Sequence, residues 1–191
     1  SAAVTGGSLA APARAQAASA LLTEGAQLPG AAPGQLVTAL NNTAVNQAGG
    51  YAVTVNTSNG ATTVSQAWGH ATGGAGAVLF QAGAFGPLVQ TSWESFFGID
   101  DAGQVCYSAT GTGGAAGGFD SVWVNATPIA VEGDPSSVAG QFWRFGSRPG
   151  ITADGNPHFV GGLTSTLGGN TENYGLFFGP GATPVLLGGG A

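Results

Sequence analysis

The chain has 191 residues, enough for one domain with a real core or for a short repeat array, and at 43% hydrophobic it is not a disordered sequence. Charged residues make up only 6%, against roughly a quarter in an ordinary soluble domain, and the formal net charge is −6. Three cations, Arg14, Arg144 and Arg148, give no basic cluster for phosphate, so neither nucleic acid nor an anionic membrane surface is an expected partner, and no apolar run is long enough to insert in a membrane.

Gly, Ala, Ser, Thr and Asn stand where charges usually sit, and such a surface does little to repel copies of itself. Cys106 is the only cysteine, so there is no intrachain disulfide and cysteine usage gives no redox compartment. Residues 11–17 have the small-residue look of a signal-peptidase region without a basic stretch before them. Ser1 reads as an end exposed by cleavage further upstream, and the expectation is export.

Taken in order, residues 1–30 form an Ala/Gly/Ser-rich arm with one strand-like stretch, Leu21, Leu22, Thr23 and Glu24. Three units follow, at about 31–82, 83–132 and 133–191. Each has four expected strands, a to d. The first unit has strand a at 35–40 and the turn Asn46-Gln47-Ala48-Gly49. Strand b follows with Tyr51, Val53 and Val55, strand c carries Trp68, and strand d is Val78-Leu79-Phe80. The second has strand a at 94–97 and the turn Asp100-Asp101-Ala102-Gly103. Val105, Tyr107 and Ala109 mark its strand b, Trp123 its strand c and Ile129-Ala130-Val131 its strand d. The third has strand a at 142–145, the turn Thr152-Ala153-Asp154-Gly155, then Pro157, Phe159 and Gly161, then Phe177, then Val185-Leu186-Leu187.

The turn glycines stand 54 and then 52 residues apart, and the strand c aromatics follow them by 19, 20 and 22 residues. Markers that keep order and spacing in this way define a repeat. Glycine supplies the positive φ of each a–b turn, and period-2 alternation buries one face of each sheet. Pro157, early in strand b, predicts an edge or a bulge. Leu21-Leu22-Thr23-Glu24-Gly25 matches the exits of the d strands at residues 79–83, 129–133 and 185–189, so the chain carries one d-like strand without its own a, b and c.

Asp101-x-Gly103-Gln104-Val105-x-Tyr107, Val122-Trp123-Val124 and Glu132-Gly133-Asp134-Pro135 resemble a tandem β-repeat of secreted bacterial proteins, often anchored by a C-terminal sorting signal. The resemblance covers about residues 20–187 and is close in the second unit. The first unit has Glu24-Gly25-Ala26-Gln27 in place of Glu-Gly-Asp-Pro, and the third has Pro157-His158-Phe159 in place of Val-x-Phe. It implies a secreted, propeller-like protein and carries no activity with it. With no sorting signal after Ala191, the chain is expected to be released or held by other means. The fold expectation is all-β, three tandem four-stranded antiparallel units in a propeller-blade-like array, with β-prism and β-trefoil closure as alternatives.

Candidate chemistry is sparse. Ala52, Cys106 and His158 share one strand b position; Cys106 and His158 could be a nucleophile and base, and packing is the plainer reading. Asp100, Asp101, Glu132, Asp134 and Asp154 read as turn caps rather than a Ca²⁺ site. His70 reads as a solvated loop residue. The run Gly111-Thr112-Gly113-Gly114-Ala115-Ala116-Gly117-Gly118 precedes a strand, so it reads as a b–c loop and not a phosphate loop. Trp68, Trp93, Trp123 and Trp143 with Tyr51, Tyr107 and Tyr174 could form a sugar-stacking platform, and the repeated aromatics of the c strands read as core first. Sequons begin at Asn41, Asn56 and Asn125. No enzyme, cofactor or metal is expected. The expected function is a structural subunit of an extracellular filament or surface layer, its partners copies of itself, joined head to tail by strand donation from Leu21, Leu22, Thr23 and Glu24. The alternative is a monomeric carbohydrate-binding module, with glycans as partners.

Overall fold

A computed structural model describes residues 21–189, and these are all-β. Three antiparallel sheets follow one another along the chain, one per unit. The first is β1 (Leu36–Val45), β2 (Tyr51–Ser58), β3 (Thr63–His70) and β4 (Ala77–Gln81), hydrogen-bonded in that order. The second opens with the two-residue β5 (Ala84–Phe85) and continues as β6 (Leu88–Ile99), β7 (Val105–Gly114), β8 (Gly117–Val124) and β9 (Thr127–Val131). The third is β10 (Phe142–Ile151), β11 (Pro157–Thr164), β12 (Asn173–Phe178) and β13 (Thr183–Gly189). Each unit is thus a meander of strands a, b, c and d, as the repeat predicts, with a short hairpin strand added to the second.

The a–b turns form where expected. Gly49, Gly103 and Gly155 have φ of 81°, 86° and 87°, which a side chain disfavours. Each turn also touches its neighbour. The Asn46 amide donates to the carbonyls of Ala71 and Asp100 at 2.7 Å each, Ala48 N–H donates to the Asp101 carboxylate, and Asp101 N–H donates to Ala153 O. The three turns are therefore linked in series along one side of the molecule.

The sheets stack through a consistent pair of faces. Tyr107 and Trp123 of the second unit pack on Ala52 and Ala67 of the first, with Phe80 between them. Phe159, Phe177 and Trp143 of the third unit pack on Cys106 and Val122 of the second. Aromatic residues thus mark the face each unit turns towards the preceding unit, here the front. Smaller residues mark the face turned towards the following unit, the back. Gly146 lies against Val122, and Gly98 lies against the backbone of Gly150 and Ile151, so β10 crosses the second sheet closely.

Some expectations need correction. Strands a run further than predicted: β1 continues through Asn41, Asn42 and Thr43, and β6 begins at Leu88. The glycine run at 111–118 is mostly strand, with only Ala115 and Ala116 between β7 and β8. A Cβ at Gly111 would stand 2.1 Å from Val89 O, and one at Gly113 would stand 1.9 Å from Pro87 O. The glycines therefore serve close approach to β6 rather than a long loop. Pro157 opens a strand paired on both sides, not an edge; at the first position its missing N–H is tolerated. His70 is the last residue of β3 and half-buried, its Nδ1 accepting from Thr72 N–H.

Leu21, Leu22, Thr23 and Glu24, expected as a strand, form no ladder among the described residues. No strand c lies beside them there to complete one. Residues 1–20 lie outside the described residues. The stretch nonetheless holds a d-exit position. Gly25 N–H donates to Val37 O and Val37 N–H to Ala26 O, as Gly133 N–H donates to Trp143 O and Trp143 N–H to Asp134 O.

Candidate assembly faces

Stacking three two-sided units leaves one front and one back without a neighbour among the described residues. The unmatched front belongs to the first unit. Its strand b alternation puts Tyr51, Val53 and Val55 on that side, with Trp68 from β3 and Leu40 from β1. Leu28 is wholly buried against Val37, Val55 and Trp68, and the Trp68 indole N–H donates to Pro29 O. Leu28 is therefore part of the first unit's core, and Ala31 packs against it. Leu22 covers part of what remains, while Leu21 is 63% exposed. An apolar groove of about 290 Å³ stays open between Leu21, Leu22, Leu40, Tyr51, Val53 and Trp68.

The unmatched back belongs to the third unit. On β12, Gly175 and Phe177 point inward, while Tyr174, Leu176 and Phe178 point out and are 50%, 39% and 41% exposed. Val160 on β11 and Leu186 on β13 lie directly opposite Leu176 on the same face. The Phe145 ring stands 5.8 Å from that of Tyr174 and closes one end of the strip. The pattern is a row of large apolar side chains on a sheet whose last strand, β13, is paired on one side only.

The sequence-predicted chemistry is scattered by the same geometry. Cys106 is on the back of the second unit and wholly buried, and burial pushes its thiol up to about 12. His158 is on the back of the third unit, beyond that sheet from Cys106, so the two do not form a pair. Asp100 caps its turn, accepting from Ala102 N–H, Gln104 N–H and the Gln104 amide. Asp154 does the same with Thr152 and Asn156. Glu132 departs from the turn-cap expectation: it pairs with Arg144 and accepts from Asp120 N–H. Trp68, Trp123 and Trp143 are buried in the three cores, as expected of core aromatics, and Trp93 is half-buried, its ring tilted against that of Tyr107 at 4.4 Å between centroids. The Asn125 side chain is engaged as an acceptor for Val105 N–H.

One polar cluster escaped sequence reasoning. Glu94, Ser108 and Asp120 lie on the back of the second unit, with Glu132 and Arg144 at the same joint. Burial, then the nearby charge of Glu94, raises the Asp120 carboxyl to about 7. The sequence pattern pointed the other way, since Asp120 falls on the opposite strand face from the core aromatic Trp123. A second groove, about 160 Å³ and polar, runs between the first two units, lined by Asn41, Asn42, Asn56, Ser65, Trp93 and Glu94. Among the described residues no group of three or more potential metal ligands converges, and no helix is long and apolar enough to cross a membrane. The chain matches no protein-family model, no curated protein and no solved structure.

Proposed function

We propose that the protein is a structural, non-enzymatic subunit of an extracellular filament or surface layer, whose copies join head to tail through the segment Leu21, Leu22, Thr23 and Glu24. The observation that carries this reading is the exit position held by that segment: it enters the first unit as a d strand would, yet has no ladder partner among the described residues. An unpaired strand and an open sheet edge complete each other through main-chain hydrogen bonds. Burying Leu21 and the exposed part of Leu22 against a neighbour would add up to about 1.5–3 kcal/mol each. The extracellular setting rests on the resemblance to secreted β-repeats and on the charge-poor surface. Removal of residues 1–24 tests the reading, because it spares Leu28 and the segment that covers Trp68. Electron microscopy and sedimentation should show filaments from the full chain and folded monomers from the truncated one. Equal polymerisation of both would refute strand donation.

A second reading, a carbohydrate-binding module, is favoured by the polar groove between the first two units. Its amides and hydroxyls are groups that recognise sugar hydroxyls. Glycan-array binding that is lost in Asn42→Ala, by a chain that stays monomeric, would select this reading over the first.

A further inference from the structure

Within the chain, two joints obey one rule. The back of a unit receives the aromatic front of the next, with strand a of the incoming unit laid against it: β6 on β1 and β2, β10 on β6 to β9. The rule is set by strand phase. Ala52, Cys106 and His158 occupy the same strand b position and all face the following unit; Val53, Tyr107 and Phe159 are their neighbours and all face the preceding one. For Cys106 the following unit is present and buries it completely. For His158 and the strip beside it, no following unit is present among the described residues.

We infer that the back of the third unit, formed by Val160, Tyr174, Leu176, Phe178 and Leu186, is a docking surface for the front of the first unit of a second copy. This deepens the head-to-tail reading above and rests on it, adding the receiving surface and its register. Continuity with the two in-chain joints identifies the occupant. The surface has the phase of a back, and the front that lacks a seat is that of Leu40, Tyr51, Val53 and Trp68. Both are built from Leu, Val and aromatic side chains, with His158 beside Phe178 on the back. Beside that surface β13 pairs with β12 alone among the described residues, which leaves an edge for Leu21, Leu22, Thr23 and Glu24 of the second copy. The contact joins two different surfaces, so repetition gives an open row rather than a symmetric dimer.

Two blocked variants test this. Leu176→Asp with Leu186→Lys spoils the back; the two residues are directly opposite, so the new charges pair and spare the sheet. Leu40→Asp spoils the front at an exposed position of its groove. Circular dichroism and melting confirm folding, and Leu186→Lys alone, at a 68% exposed site, replaces the first variant if the double change unfolds it. Sedimentation velocity should show loss of polymer for each variant alone and a one-to-one complex when they are mixed, since the mixture restores one good front and one good back. Polymerisation of the back variant to the wild-type extent overturns this inference and leaves strand donation standing. Self-pairing of either variant overturns it too, by showing a symmetric contact. A wild-type chain that closes into small rings, with the mixed complex still forming, keeps the docking surface and removes the filament. Monomers throughout, wild type and mixture alike, overturn both.

Discussion

At the scale of single residues, Cys106 shows how an apparent nucleophile is disarmed. A thiol with no exposure and a pKa of about 12 has almost no thiolate at neutral pH. It should be unreactive towards a disulfide reagent in the native protein and react fully in denaturant. Cys106→Ala should cost about 0.5–1.5 kcal/mol, read from urea unfolding, and leave self-association unchanged. The first unit already places Ala52 at the equivalent position. Asp120 is the opposite case, a group with consequences that its sequence context did not announce. Its folded-state pKa of about 7 exceeds the ordinary carboxylate value, so between about pH 4 and 7 the folded protein holds a proton that the unfolded chain has released. The stability it contributes is present below the unfolded pKa and is lost as pH rises through 7. Urea midpoints should therefore fall from about pH 5 to about pH 8, and Asp120→Asn should flatten that decline. A decline of equal size in the variant would assign it to other groups.

At the scale of elements, the repeat was legible because its markers are local. A turn glycine, an alternating strand and a strand c aromatic each declare themselves within a few residues. What was not legible depends on contacts between units. Strand β1 runs on past a bulge at Asn41 and Asn42 and pairs again from Thr43 with Val53, which polar composition does not reveal. The glycines at 111–114 are strand because Pro87 and Val89 lie against them, which no local pattern encodes. The stretch Leu21 to Glu24 has the sequence of a strand and lacks a neighbour to make it one. The d-exit segment behind it has the composition of an arm, yet Leu28 is the residue that packs on Trp68. Leu28→Ala should cost about 2–5 kcal/mol in urea unfolding and shift tryptophan emission to the red as water reaches Trp68. No change in either would mean that residues 25–34 sit on the unit without supporting it.

At the scale of the whole molecule, the units differ at the back face while sharing a plan. On strands b and c the first two backs carry Ala52, Ala67, Cys106 and Val122, and they are covered. The third is lined by Leu176, Phe178 and Leu186, and it is open. A contact made from such residues responds to solvent structure rather than to ionic screening. Self-association should change little between about 0.05 and 0.5 M sodium chloride and strengthen in sulfate, followed by light scattering. Dissolution by sodium chloride would point to ion pairs instead. The side where the a–b turns meet acts differently from the faces. Apolar surfaces can slide across one another at small cost, whereas the Asn46 amide must reach Asp100 O and Asp101 N–H must reach Ala153 O. Hydrogen bonds of fixed length at one side set the rotation from each sheet to the next. A longer row built by the same step would inherit that rotation as its winding, so its pitch would be written in three short turns and not in the larger area of the sheets.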